Sequence, residues 1–318
     1  MVRYAVKRIL LLIPILLAVS IIVYVLIDLA PGTIVDSMIS DTMTEEDIEA
    51  LKKEYNLDKS VWYRYGVYML NLLRGDLGVS DYTGLPVWDI YISRLPNTLE
   101  LAFTSLIFGS VVAIPLGIVA AKRAGSLVDN AVTIITLIGM SMPSFWLALL
   151  FILQFSLKWP ILPSGGNEDG IRSVILPTIC SGFVLMASAT RQTRSSMLEQ
   201  LNADYLRTAR AKGVPEKAVI NKHALGNAWI PILTTLGGSF CHAIAGSAVV
   251  ETVFTWPGVG RTMVDAVVSR DVTMTMGCTM LTTTLYVLIT LAVDLLYAMV
   301  DPRIKSAYAS PRRRRRSA

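Results

Sequence analysis

The chain has 318 residues, 53% of them hydrophobic and 17% charged, with a net charge of +5 and a mean hydropathy of +0.54. That composition excludes an ordinary soluble domain and fits an integral membrane protein. In a soluble chain a pI near 9.1 would suggest nucleic acid; here the basic residues gather beside apolar runs, where they report topology, and no nucleic-acid partner is expected.

In chain order, Arg3, Lys7 and Arg8 precede a first apolar run, Ile9 to Ile27. It is too long for the apolar core of a secretory signal, and Asp28-Leu-Ala-Pro-Gly-Thr after it lacks a small-x-small cleavage site, so it reads as a retained transmembrane helix. Windows of about twenty apolar residues predict six spans in an all-α polytopic bundle. They are Ile9–Ile27, Leu101–Ala121, Ala131–Leu157, Val174–Ala189, Trp229–Val250 and Gly277–Val300. The fourth is the shortest; the third is long enough to hold a kink at Pro143 or a strong tilt. Lys122 and Arg123 fall between spans two and three, a basic group from Arg191 to Lys222 between four and five, and Arg303, Lys305 and Arg312 to Arg316 after six. These are alternate connections, so both termini and the loop after span four are expected to be cytoplasmic. Residues 31–100 then face outward and are soluble in character, with Thr44-Glu-Glu-Asp47 as a capping box opening a helix through about Tyr55. The expected division is a first transmembrane helix over 1–30, an extracytoplasmic region over 31–100, a five-span core over 101–302 and a basic cytoplasmic tail over 303–318. The tail, with five consecutive arginines, reads as a solvated anchor compatible with anionic lipid headgroups. The expected location is the cell membrane, crossed several times.

The polar interruption from Ala203 to Pro231 reads as helix, turn, helix. Tyr205 to Lys212 holds good helix formers, Gly213 supplies a positive-φ cap, and Pro215 fits the first turn of a second helix from Glu216. From Asp204 to His223 five basic side chains stand against two acidic ones, which keeps the segment out of hydrocarbon.

Its T-A-R-A-K-G followed by K-H-A-L-G-N-A resembles the EAA loop of bacterial and archaeal ABC importer permeases, in the dipeptide, oligopeptide and nickel subgroup. The general pattern is Glu-Ala-Ala, three residues, Gly, nine residues, then Ile-x-Leu-Pro. The matching positions are Arg207, Thr208, Ala209, Gly213, His223, Leu225 and Gly226, of which Ala209, Gly213 and Leu225 keep the general letters. D-Y-x-R-T-A-R-A-K-G and K-H-A-L-x-N-A are the subgroup's own form. Further segments resemble it too: P-G-T at Pro31, where members usually have Asp in place of Thr33; G-D-L-G-V-S (Gly75 to Ser80); R-L-P-N-T-L-E-L (Arg94 to Leu101); E-T-V-F-T-W-P-G-V-G-R (Glu251 to Arg261); and D-L-L-Y-A-M-V-D-P-R-I (Asp294 to Ile304). The resemblance implies a six-span permease subunit paired with a second homologous permease, two ATP-binding subunits and an extracytoplasmic solute-binding protein. ATP and Mg would sit on the partner subunits and none on this chain. It implies that Arg207, Thr208, Ala209, Arg210, Lys212, Gly213, His223 and Leu225 contact the ATPase. Short peptides are the expected substrate, with nickel or a metal chelate the alternative.

No catalytic residues are expected. There is no G-x-x-x-x-G-K-[ST], H-E-x-x-H or G-x-S-x-G, and the histidines number two, His223 and His242. Glu251, Asp294 and His242 are candidate path or gating residues; for Glu251 and Asp294, interhelical or headgroup-level hydrogen bonding is the plainer alternative. His242 with Met274, Met276 and Met280 would suit a metal path, but methionines are common packing residues and no metal site is expected. Cys180, Cys241 and Cys278 lie in or beside apolar segments without C-x-x-C spacing, as packing residues do. Gly237, Gly238, Ser239, Gly246 and Ser247 are small enough for close helix approach. A membrane scaffold without transport activity and an intramembrane enzyme are the remaining readings.

Overall fold

The computed structural model describes residues 2–39 and 43–300, and among these it is helical with no strand. The basic tail lies outside the described residues. The helices are α1 (Val2–Leu29), α2 (Ile34–Met38), α3 (Glu45–Glu54), α4 (Val61–Leu73), α5 (Val87–Lys122), α6 (Leu127–Ser141) and α7 (Ser144–Phe151), which continues as a π-helical turn to Lys158. After these come α8 (Ile171–Leu201), α9 (Asp204–Ala211), α10 (Glu216–Ala218) with a π-helical turn to Ala224, α11 (Leu225–Gly246), α12 (Ala248–Val253), α13 (Val259–Val268) and α14 (Val272–Val300). Five runs are long and apolar enough to cross a membrane: in α1, α5, α8, the α10–α11 run and α14. The α6–α7 pair makes up to six.

Two expectations change, and one of two options is settled: the third span kinks at Pro143, where α6 and α7 meet at a bend of 103°. Met142 is extended, with φ −78° and ψ 127°, because the ring of Pro143 disfavours helical backbone in the residue before it. The fourth span is not short. Its helix runs on through Arg191, Gln192 and Arg194 to Leu201, since charge ends an apolar run without breaking backbone hydrogen bonds. The second helix of the polar loop is not separate either. It passes through the π-helical turn Val219–Ala224 directly into α11.

The α3 start is as expected: the Asp47 amide donates to Thr44 Oγ1 at 3.2 Å and Asp47 Oδ2 accepts from the Thr44 amide at 2.9 Å. Hydrogen bonds from Thr44 hold the Asp47 carboxyl below its ordinary value. Thr33, where the resembled subgroup has Asp, caps α2 through a bond from its amide to Asp36.

Helix α8 is the centre of the bundle, with 56% of its apolar window buried against 11% for α1. It packs along α5, where a Cβ on Gly109 would overlap Leu185 and one on Gly117 would overlap Thr193. Chain direction alternates through the bundle. One end gathers Ala121, Met197, Leu206, Val219 and Ile220 in a single apolar cluster; the other joins Asn97 to Pro257 and Ser80 to Asp271.

Candidate functional site

At the first of these ends, α9 is amphipathic. Leu206 is fully buried, while Arg207, Thr208, Arg210 and Lys212 are exposed. The helix ends in a Schellman turn: the Gly213 amide donates to the Arg210 carbonyl at 2.9 Å and the Val214 amide to the Ala209 carbonyl at 3.2 Å. Gly213 has φ +78°, the left-handed geometry that this motif requires. Ala209 and Val214, the pair that closes the motif, pack together against the apolar cluster of Val219, Ile220 and Ala224. Arg210 then reaches across the turn to both carboxylate oxygens of Glu216, at 3.1 and 3.0 Å. Arg207 makes a looser pair with Asp204 at 3.6 Å, both strongly exposed.

The eight residues assigned to this loop thus divide in two. Ala209, His223 and Leu225 are half-buried, and Ala209 and Leu225 pack on the cluster; Arg207, Thr208, Arg210, Lys212 and Gly213 face out. Two residues that the sequence reading passed over tie the loop down. Tyr205 donates to Gln200 Oε1 at 2.9 Å, and Asn227 Nδ2 donates to the Tyr205 hydroxyl at 3.1 Å and to the His223 carbonyl at 3.0 Å. These are the Tyr of D-Y and the Asn of L-x-N-A, so the two halves of the motif meet through hydrogen bonds. The result is a basic ridge joined to α8 and α11 by hydrogen bonds and by the apolar cluster.

At the opposite end, Glu251 is 0% exposed. Its carboxylate accepts from Thr98 Oγ1 at 2.8 Å, Ser247 Oγ at 2.7 Å and the Arg261 amide at 2.9 Å. The last donor belongs to the first turn of α13, whose dipole favours negative charge there. Thr98 also accepts from the Val259 amide at 2.8 Å, Asn97 Nδ2 donates to the Pro257 carbonyl at 2.8 Å, and Trp256 Nε1 returns to the Asn97 carbonyl at 2.9 Å. A Cβ on Gly258 would collide with the Glu251 carboxylate. R-L-P-N-T-L-E-L and E-T-V-F-T-W-P-G-V-G-R are therefore two halves of one hydrogen-bonded knot, with Glu251 at its centre. The turn after α7 joins it, the Gly166 amide donating to the Phe254 carbonyl at 2.9 Å. Nearby, Asp271 is buried and accepts from Ser80 Oγ at 2.6 Å and the Met274 amide at 2.7 Å. Burial, with Asp271 beside it, pushes the neighbouring Asp81 carboxyl above the usual carboxylate range.

The other candidates are dispersed. Asp294 pairs with Arg8 at 3.4 Å, joining α14 to α1. His242 lies exposed on α11, whereas Met274, Met276 and Met280 are buried in α14. No group of three or more His, Cys, Asp or Glu side chains converges among the described residues. Cys180, Cys241 and Cys278 are buried free thiols. The sequence reading also missed a cross-helix clamp, because its partners are 65 residues apart. Arg194 bonds both carboxylate oxygens of buried Asp129, at 2.5 and 2.8 Å, and the Gly125 amide adds a third bond at 2.9 Å. Arg194→Ala removes the cation from that carboxylate. The expected loss is about 1–3 kcal/mol, read as a lower thermal midpoint, with partial recovery in Arg194→Lys.

The chain matches the family described as "Binding-protein-dependent transport system inner membrane component" over residues 113–306, and the N-terminal region of the same membrane components over residues 1–102. It belongs to that family. It is 39% identical to the oligopeptide transport system permease protein AppB of Bacillus subtilis, covering 96% of this chain and 100% of that one. It is 35% identical to the dipeptide transport system permease protein DppB of Escherichia coli K12, covering 96% and 99%. Among solved structures, an inward-facing conformation of the MetNI methionine ABC transporter aligns with a TM-score of 0.56 at 21% identity, covering 67% of this chain and 96% of that one; the likeness is one of fold. This chain is thus a multi-pass plasma-membrane permease subunit of an ABC importer and not an enzyme; its family works with ATPase and binding-protein components.

Proposed function

We propose that this permease forms part of the membrane path for short peptides, and that the ridge of α9 and Gly213 is where ATPase motion enters it. The observation that carries the proposal is the ridge's construction: a basic, outward face on a turn whose inner face is locked into the bundle core by Leu206, Val219 and Ile220. A push on Arg207, Arg210 or Lys212 reaches α8 and α11 through the packed side chains of that cluster. Thr208, Ala209, His223 and Leu225 complete that contact. Peptides are favoured because the relatives in the preceding subsection are named for oligopeptide and dipeptide transport. Among the described residues no converging ligand set favours nickel or a metal chelate.

In this reading both termini and the ridge are cytoplasmic, in keeping with the distribution of Lys and Arg, and the Glu251 knot faces outward with residues 31–100. A second homologous permease completes the path, two ATP-binding subunits carry ATP and Mg, and an extracytoplasmic solute-binding protein delivers substrate. The five-span core over 101–302 does the moving. Glu251 then serves as an outer anchor, while Asp294 and His242, on α14 and α11, remain the polar groups within the spans nearest to a path or gating role.

The test is uptake at trace concentration, in cells lacking the gene, of a labelled dipeptide mixture and of radioactive nickel. Peptide uptake is expected to fall and nickel uptake to persist, with rescue by the gene. Loss of nickel uptake alone would overturn the substrate assignment.

A further inference from the structure

Helix α4 belongs to the segment that reads as soluble, yet its surface is inverted. The outward residues Trp62, Leu70 and Leu73 are exposed, Trp62 by 64% and Leu73 by 79%, and at 3.6 residues per turn they share an arc of about 80°. Between Val61 and Leu73 the single charged residue is Arg64, and it turns inward to pair with Asp28. Asn71 lies on the same inner side. A helix on a protein surface in water places its polar residues outward and its apolar ones inward; α4 instead keeps Arg64 and Asn71 inside and leaves an apolar face exposed.

Its position says what covers that face. α4 packs on α1 through three successive turns: Tyr65 hydrogen-bonds Ser20 at 2.9 Å, Tyr65 meets Tyr24 edge to face with ring centroids 5.5 Å apart, and Arg64 pairs with Asp28. Ser20 to Asp28 is about 12 Å of helix at 1.5 Å per residue. It is the outer part of an apolar span that is itself little buried by the rest of the chain. A helix held at those levels lies at bilayer depth, not above it. Trp and Tyr at its first turn are the side chains that settle at headgroup level.

We infer that α4 is an interfacial membrane helix whose Trp62, Leu70 and Leu73 face contacts outer-leaflet lipid, continuing the lipid-facing surface of α1. Arg64 pairs with Asp28 on the inner side, away from that lipid. The helix anchors the outer segment at a fixed depth, so that the loop carrying Asp76 and Asp81, which shares a cavity of about 460 Å³ with α4, stays level with the bilayer surface. None of this depends on the substrate or on the ATPase contact.

The test uses the full chain assembled with its partner subunits in phospholipid bilayers, with a nitroxide on Leu73→Cys and, as an aqueous reference, on exposed Glu49→Cys of α3. At position 73, collisions with oxygen are expected to exceed those with a water-soluble nickel chelate several-fold, and at position 49 the order reverses. Dominance of the chelate at 73 would overturn the inference in favour of water. Exclusion of both reagents would overturn it in favour of a protein cover such as the second permease. A second measurement needs no cysteine: the emission difference between wild type and Trp62→Phe should be quenched by lipids brominated high in the acyl chain, and an unquenched difference also overturns it. Peptide uptake by the labelled chain, measured alongside, keeps this outcome separate from that of the transport assignment.

Discussion

Glu251→Ala is expected to destabilise the folded permease by about 3–5 kcal/mol. The side chain is fully buried and accepts three hydrogen bonds. Removing it leaves the Thr98 and Ser247 hydroxyls and the Arg261 amide short of an acceptor. Each unsatisfied buried donor costs about 1–3 kcal/mol, though the three do not add fully. A cavity appears as well. Glu251→Gln keeps the volume and one acceptor oxygen, but turns an NH2 toward groups that also donate, so its cost is smaller without vanishing. The chain carries its own reporter: Cys180 is buried in the cluster holding Val250 and Phe254, and Cys278 in the one holding Val259. Thermal exposure of these thiols to a maleimide dye should begin at a lower temperature in the order wild type, Gln, Ala. An Ala variant that melts with the wild type would show that the knot does not hold the outer end together.

Gly213→Val is expected to leave stability nearly intact and to abolish coupling. Nothing lies within 4 Å of the position a Cβ would take, so the cost is not one of collision. It comes from φ +78°, which disfavours an L residue by about 1–2 kcal/mol and a β-branched one by more. Gly213 itself touches no core side chain, so the strain is relieved locally. The turn opens, the two Schellman hydrogen bonds lengthen, and Arg210 parts from Glu216. Thiol melting should match the wild type, while peptide uptake falls more than tenfold and ATP hydrolysis no longer follows substrate. Asn tolerates left-handed backbone better than Ala, and Ala better than Val, so uptake should decline in the order Gly, Asn, Ala, Val. Normal uptake by the Val variant would remove Gly213 from the mechanism. Disturbed melting would make it a folding residue instead.

Much of this architecture was legible in residue order alone. Apolar length against bilayer thickness requires several spans, Thr44 with Asp47 starts a helix, and Gly213 before Pro215 ends one helix and begins another. Each signal is local, acting within a turn or two of backbone. The motif residues were legible as motifs, but their purpose was not. Tyr205 and Asn227 stand 22 positions apart, and Thr98 and Glu251 stand 153 apart, so neither spacing hints at the bond. The same holds for Asp129 with Arg194, and for Arg64, which composition alone would have put in water.

What the sequence determined by itself, then, was that the chain is a helical membrane protein with a basic, glycine-hinged loop, because hydrophobic length, charge and left-handed backbone are properties of short stretches. Only the tertiary structure decided that span three bends by 103°, that Glu251 is buried among three hydrogen-bond donors, and that α4 turns an apolar face outward. Those depend on which side chains meet across helices, and a buried polar group takes whatever partner the packing brings within hydrogen-bond reach.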